Sequence, residues 1–528
     1  MTSRRPILFA ALAVLLLALQ FSRSMYRDLD PDEHQFVAPP ALLAQFHKLP
    51  YVDYPYFHMP DLVFIYAALT GWTSWKLLAA RTISAICGTA TAALLFAAGW
   101  RLLDRSPPKT RWILAGGLTL IFINCRLFTY TSGWAWNHDS AVLCSLGAFL
   151  LHTRGMRRGV IGSIAAAGFF TALAAGIRLT FAPIFLPLIL SLLLGPSSLI
   201  RRQRGLALLL AAIAALVALS PAIWLATAAP QKFLFGNLGY PRLSTMYYAG
   251  WDHHGMTFTG KVLSMLEKFA TDPGNAFLLL AFIAAIFVFG SSDARVASSA
   301  NDKTATQASQ LRGEFRLVLG MLTALWIGVM APTPIQQQYN YMLVPFMVLA
   351  IFYSFAAITS AAALQNCTRI ITVAAIIIGG IGLPRWYWPV VDLPLPSRWK
   401  PVMQHRMAQW IVSETGPTAR VLTIESAVPL EAGLEIYPQY AVGRFIFLVQ
   451  RFQSPQLRQK YDIVGPDELP ELLAQHPPDA VFARIQLHLQ DQADEPLILY
   501  AQRHHFRPVT SPDGQYRLWL SPSYNAAG

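Results

Sequence analysis

Four carboxylates fall within six residues in the run Asp28-Leu29-Asp30-Pro31-Asp32-Glu33, and His34 follows them. Carboxylates so placed can take a proton from a hydroxyl as a general base, or hold a hard cation through oxygen. Arg23 and Arg27 come just before, at the end of an apolar run that covers residues 7–22. Proteins seldom keep this many acids against a bilayer without a use. An acidic helix start explains them equally well: Pro31 suits a first helical turn, and Asp32 and Glu33 would then sit at the positive end of the helix dipole.

Farther along comes Leu49-Pro50-Tyr51-Val52-Asp53-Tyr54-Pro55-Tyr56-Phe57-His58-Met59-Pro60. Its prolines forbid a continuous helix, and its tyrosines suit the aromatic belt of a membrane interface. A belt has no need of His58, although a single histidine is often only a structural hydrogen-bonder. Asn137-His138-Asp139 opens another apolar run, either as a helix cap with Asp139 in the first turn or as a further acidic position of a site. Arg178, in Gly176-Ile177-Arg178-Leu179-Thr180, stands between two apolar runs. There it either snorkels to the interface or offers a forked donor to an anion.

The elements that must hold these residues follow from composition. Of 528 residues, 54% are apolar and 13% charged, with 41 Lys+Arg against 28 Asp+Glu and a net charge of +13. That balance excludes a disordered chain and a purely soluble enzyme. Apolar runs crowd residues 7–391, whereas charged residues spread evenly after Arg398. A polytopic α-helical membrane part, residues 1–394, followed by an α/β domain over 395–528, is the expected organisation. Eleven runs are candidate spans: 7–22, 81–100, 112–128, 138–152, 159–176, 180–196, 205–228, 275–290, 316–331, 341–359 and 370–390. The first reads as a retained signal anchor, since no clean small-residue cleavage site precedes Arg23.

Basic clusters recur in every second loop: Arg4/Arg5, Arg101/Arg105/Lys109/Arg111, Arg154/Arg157/Arg158, Arg201/Arg202/Arg204 and Arg312/Arg316. The positive-inside rule makes those loops cytoplasmic, so the acidic loop 23–61, the turn around Arg178 and the tail lie on the other face of the plasma membrane. Short basic clusters between apolar runs are not a nucleic-acid surface. The four cysteines show no CxxC spacing, so neither a disulfide framework nor a thiolate metal site is expected. There is no internal repeat. Ser291 to Gln310 reads as a mobile cytoplasmic linker. In the tail, Val421–Ile424 and Ala480–Ala483 read as strands, Asp467–Gln475 as a helix, and Arg517–Leu520 as the end of a hairpin after Pro512-Asp513-Gly514.

The succession of a first span, an external loop with Asp32-Glu33, then Leu49-Pro50-Tyr51-Val52-Asp53 and His58-Met59-Pro60 before a membrane-dipping helix resembles the GT-C glycosyltransferases. The nearest branch is that of the protein mannosyltransferases and aminoarabinose transferases. The resemblance implies a GT-C fold over roughly residues 1–390 and an integral membrane enzyme that uses a polyprenyl-phosphate sugar. It implies Asp32 as general base, with Glu33 and Asp139 as orienting or metal-assisting carboxylates, and Asp139 facing Asp32 across a cavity. Arg178 and His58 would lie near the phosphate, with Tyr54, Lys48 and His138 also around the substrate. A divalent metal, if used, would fall to Asp32 and Asp139. Three departures stand out. Arg178 is near but not at the basic position of the relatives' Gly-x-x-x-Thr-Lys segment; Gln338, before Tyr339-Asn340-Tyr341, stands where relatives often carry Arg; and Pro39-Pro40 interrupts what is usually a continuous helix. The expected partners are a polyprenyl-phosphate-linked sugar donor, an acceptor outside the cytoplasm and the bilayer. Two other readings use the same residues: a transporter or flippase with a charge relay, and a non-catalytic envelope assembly protein whose tail binds a polymer.

Overall fold

The computed structural model describes residues 4–250, 256–296, 302–485 and 493–522. Long apolar runs become helices because lipid offers the backbone no hydrogen-bond partner, so each span must satisfy its own. The first half holds α1 (Arg4–Tyr26), α2 (Pro31–Phe46), α3 (Asp61–Thr70), α4 (Lys76–Leu102), α5 (Pro108–Asn124), α6 (Arg126–Thr131), α7 (His138–Arg158), α8 (Ile161–Ile177) and α9 (Phe185–Leu194). It continues with α10 (Arg201–Ala218), α11 (Ser220–Ala228), α12 (Pro230–Leu234), α13 (Tyr240–Ala249), α14 (Phe258–Ala270), α15 (Pro273–Val296), α16 (Asp302–Met330), α17 (Val344–Ala357), α18 (Ala361–Gly382) and α19 (Pro384–Asp392). Six of the described helical segments are long and apolar enough to cross a membrane, or seven if α10 and α11, bent by 57°, make one span. This is a polytopic helical membrane protein. The other four expected runs fall on α5, α7, α8 and the Leu179–Leu194 segment, which are shorter or more polar.

Buried side chains of α4, α5, α6, α7, α16 and α17 form the main core, with Phe122, Phe128, Phe149 and Phe346 fully buried. Within it, Arg157 of α7 forks onto Glu314 of α16, whose Oε2 also accepts from the Tyr353 hydroxyl at 2.8 Å. The Ser/Ala/Thr-rich stretch read as a linker is largely helical: α15 extends to Val296 and α16 begins at Asp302, while 297–301 lie outside the described residues. Alanine and serine there are compatible with helix when a long apolar run continues on both sides.

Pro39 and Pro40 do not interrupt α2, contrary to the sequence expectation. The helix continues from Pro31 through both prolines to Phe46. Two backbone donors are lost, but Glu33 to Leu42 are all buried between α3, α4 and the tail, and that packing overrides the local penalty.

The tail begins with α20 (Lys400–Thr415) and builds a five-stranded sheet in the order β2-β1-β3-β5-β4. Its strands are β1 (Arg420–Leu422), β2 (Glu435–Ile436), β3 (Ala480–Arg484), β4 (Arg507–Thr510) and β5 (Tyr516–Leu520). β1 runs parallel to both neighbours, while β5 is antiparallel to β3 and β4. Gly514, at φ +70°, makes the turn into β5 that a side chain would strain. Helices α21 (Ala427–Glu431), α22 (Phe445–Gln450), α23 (Pro455–Lys460), α24 (Leu469–Gln475) and α25 (Glu495–Arg503) complete the tail. A second apolar core joins it to the first loop, with Tyr51, Tyr54 and Tyr56 packed in one cluster with Tyr440, Ile446 and Trp519.

Candidate active site

The acidic run is a helix start, and its four carboxylates have different tasks. Asp30 caps α2, accepting the Asp32 amide at 2.8 Å, and the Glu33 side chain accepts the Asp30 amide at 3.1 Å to close a capping box. Asp28 pairs with Lys400 of α20 at 2.6 Å. Glu33 is fully buried against Arg81 of α4, which donates Nε to Oε1 at 2.8 Å and Nη2 to Oε2 at 2.6 Å. The Ala135 amide adds a 2.9 Å bond to Oε1. Arg81 in turn binds the carbonyls of Ser24, Arg27 and Asp28, so this pair ties α1, α2 and α4 together.

Asp32 alone of the four has a carboxylate with no hydrogen-bond or ion-pair partner among the described residues, and it is half-buried. Burial first, then the Asp30 carboxylate two positions earlier, push its pKa up to about 7, against the pull of Arg444 and Arg178. A carboxylate poised there is a competent proton acceptor near neutrality.

Arg178 closes α8 and faces this carboxylate at electrostatic range. Its Nη1 donates to Asn137 Oδ1 at 2.9 Å and to His138 Nε2 at 3.2 Å, its Nε donates to Thr180 Oγ1 at 3.1 Å, and the guanidinium lies 4.6 Å over the Tyr339 ring. All of these partners are neutral, and among the described residues no carboxylate pairs with Arg178, so its charge is left for an anion. Accepting that bond fixes His138 as a neutral imidazole. Gly176, two residues earlier, lets this turn approach α3, since a Cβ there would stand 1.8 Å from Asp61 Oδ2.

His58 reaches the same neighbourhood from the first loop, its Nε2 2.8 Å from Gln35 Oε1 and its ring 4.8 Å from that of Phe36. Burial, with Arg178 adding to it, lowers its pKa to about 3. It is therefore a neutral hydrogen-bonder at physiological pH and not a cation for phosphate. Tyr240 and Tyr248 of α13 and Arg444, just before α22, lie within electrostatic range of Asp32.

The remaining expected site residues go elsewhere. Asp139 is buried at the start of α7, where Oδ2 accepts the Gly133 amide at 2.8 Å and Oδ1 the Tyr341 hydroxyl at 3.2 Å. It fixes the turn before α7, and no hydrogen bond joins it to Asp32 or to a ligand of Asp32 among the described residues. Tyr54 is sealed in the loop core at 0% exposure, and a sealed ring cannot touch substrate. Lys48 follows the far end of α2, sixteen residues long, which sets it roughly 20 Å from Asp32 along the helix. Among the described residues, no three His, Cys, Asp or Glu side chains gather as a metal site.

Sequence reasoning missed Arg81, read as the edge of a span, together with Arg444, Tyr240 and Tyr248. A buried basic residue at the head of an apolar run was the signal for Arg81. Nothing local marks the other three.

The sequence matches no protein-family model and no curated protein. Among solved structures, the chain is similar over its full length to ArnT from Cupriavidus metallidurans bound to undecaprenyl phosphate, with 11% identity, 100% of both chains covered and a TM-score of 0.60. The apo state of that protein aligns over 97% of both chains, with 12% identity and a TM-score of 0.56. At these identities the likeness is one of architecture, and the chain shares the overall fold of ArnT.

Proposed function

We propose that this chain is an integral membrane glycosyltransferase that moves a sugar from a polyprenyl-phosphate donor to an acceptor outside the cytoplasm, with inversion at the anomeric carbon. The observation that carries the reading is the division of labour among the acids. Asp28, Asp30, Glu33 and Asp139 are engaged, and Asp32 is left unpartnered near two arginines. The GT-C fold, shared with a protein crystallised on undecaprenyl phosphate, supports the donor class.

In this mechanism the Asp32 carboxylate accepts the proton of the acceptor hydroxyl. The acceptor oxygen attacks the anomeric carbon from the face opposite the phosphate, and the carbon–oxygen bond to phosphate breaks with its electron pair leaving on the polyprenyl phosphate. Arg178 is the group that receives that developing charge, held by Asn137, His138 and Tyr339 so that no reorganisation is needed at the moment of transfer. His58 and His138 supply neutral hydrogen bonds near it. Glu33 acts through Arg81 as a positioning residue for α2.

The rest of the reading places eleven spans in the plasma membrane, the N-terminus in the cytoplasm, and the module after residue 395 on the far side, where it orients the acceptor. Purified protein given a labelled polyprenyl-phosphate sugar should release the sugar to an acceptor or to water. A transporter or an assembly protein leaves the donor intact, and an intact donor under all acceptor conditions would refute the enzyme reading.

A further inference from the structure

Where α1 ends and α18 passes into α19, a cavity of about 380 Å³ is lined by four arginines, Arg23, Arg27, Arg126 and Arg385, with Trp134 and Trp388 beside them. Only Arg385 has a carboxylate partner among the described residues, Asp272 at 2.7 Å. Arg27 donates to the carbonyls of Ser132 and Thr129 and lies 4.7 Å over the Trp134 ring. Arg23 donates Nη2 to Gln20 Oε1 at 2.7 Å and to the Ser132 carbonyl at 3.0 Å. Its Nε and Nη1 are buried with no acceptor among the described residues, and the residue is only 4% exposed. Three guanidinium groups without a carboxylate partner among the described residues, those of Arg23, Arg27 and Arg126, line one cavity, and such a lining favours an anion.

The surroundings favour a lipid over a free ion. On α18, Ile370, Val373, Ile377 and Ile381 form an exposed apolar row at helical spacing, and the row leads through exposed Leu383 into Arg385. Trp388 and Tyr387, both more than half exposed, then mark the level of a membrane interface. A row of this kind suits acyl chains lying under a headgroup, and inorganic phosphate would make no use of it.

We propose that this pocket binds the phosphate of an anionic membrane phospholipid, with its acyl chains along the exposed face of α18. The site is separate from Arg178 and does not depend on sugar transfer.

The test uses purified full-length protein in detergent with fluorescent short-chain phosphatidylglycerol and phosphatidylcholine as probes. Phosphatidylglycerol should bind roughly tenfold more tightly, because its phosphate charge is uncompensated whereas the quaternary ammonium of phosphatidylcholine offsets its own phosphate and is repelled by the arginines. Arg126→Glu, at an exposed side chain without an ion-pair partner, should remove that preference, with Arg126→Gln intermediate. Both variants should bind undecaprenyl phosphate as the unaltered protein does. The proposal is overturned if the two probes bind equally, if inorganic phosphate displaces phosphatidylglycerol as well as unlabelled phosphatidylglycerol does, or if Arg126→Gln weakens undecaprenyl phosphate and leaves phosphatidylglycerol unchanged. Absence of sugar transfer by the unaltered protein, with its lipid preference intact, would instead count against the enzyme reading alone.

Discussion

Asp32 and Glu33 are adjacent acids on the first turn of one helix, yet their oxygens meet different surroundings. If Asp32 is the base, Asp32→Asn should lower the transfer rate by roughly 10²–10⁴-fold and leave donor affinity largely unchanged. Glu33→Gln should behave otherwise, because it leaves Arg81 buried without its partner; a loss of about 3–5 kcal/mol in stability is expected, read as a lower thermal midpoint. The base must be ionised to act, so kcat/KM should rise with pH through about 7. Asp30 is the second cause of that raised pKa, and Asp30→Asn keeps a good helix cap while removing its charge. The acidic limb should therefore move to lower pH in Asp30→Asn, and an unmoved limb would separate Asp32 from the titration. Arg178→Lys tests the other partner: a point charge cannot keep the fork that meets Asn137, His138 and a phosphate together, so donor affinity should fall tenfold or more. The polar residues of this region were legible in the sequence because they interrupt apolar runs. Their division of labour was not, since Arg81 lies 48 positions from Glu33 and the Gly133 and Ala135 amides that bind Asp139 and Glu33 carry no side-chain signal. The resemblance implies Lys48 and Tyr54 as further substrate contacts, but a continuous α2 sets the first far along the helix from Asp32 and the core shared with the tail buries the second.

The helix α2 carries the base, and the tail holds it. His34, two residues after Asp32, accepts the Ala427 amide at Nδ1, 3.2 Å away, so its Nε2 proton points at Glu425 Oε2 at 2.8 Å. Arg484 of β3 donates to the other Glu425 oxygen at 2.7 Å. Burial works against the Glu425 charge, but His34 and Arg484 outweigh it and bring the pKa down to about 2. A folded pKa below the ordinary 4.5 means that the contribution to stability is complete above about 4.5 and is lost as pH falls toward 2. Glu425→Gln should accordingly destabilise the protein by roughly 1.5–3 kcal/mol near neutrality, the worth of a charged hydrogen bond, and the deficit should shrink in acid. It should also lower kcat more than it raises donor KM, because it loosens the base and not the Arg178 pocket; a purely structural clamp would leave the kcat/KM split unmoved. Of these elements the sequence showed β1, β3, the β5 hairpin and α24 within a residue or two, each carried by a local pattern. It misjudged α2, where two prolines read as a break, because the tertiary burial that keeps the helix whole has no local signature. It had no means to find β2, a two-residue strand that exists through pairing with β1.

Across the chain, charge is sorted in a way that the fold makes use of. The acidic loop, the Arg178 turn and the arginine cavity lie toward the ends of α1, α8 and α18 that carry the tail, while Arg101, Arg105, Lys109, Arg157 and Arg158 gather at the opposite ends of α4, α5 and α7. By the positive-inside rule that asymmetry supports the orientation proposed above, in which the tail would lie outside the cytoplasm. Apolar composition exposed the membrane part at once, whereas the number of crossings depends on α5, α7, α8 and the Leu179–Leu194 segment, which are shorter or more polar than a full span. Native cysteines are buried or half-buried, so single introduced thiols can report on each face. Gln502 lies exposed on α25, and Lys109 lies exposed at the start of α5. Gln502→Cys should react with a membrane-impermeant maleimide in intact cells whose outer barrier is opened, and Lys109→Cys should react only after the plasma membrane is permeabilised. The reverse pattern would place the tail in the cytoplasm. It would also put Asp32 and Arg178 on that face, because α2 and the tail are joined by the His34–Glu425 contact and cannot lie on opposite sides of the bilayer.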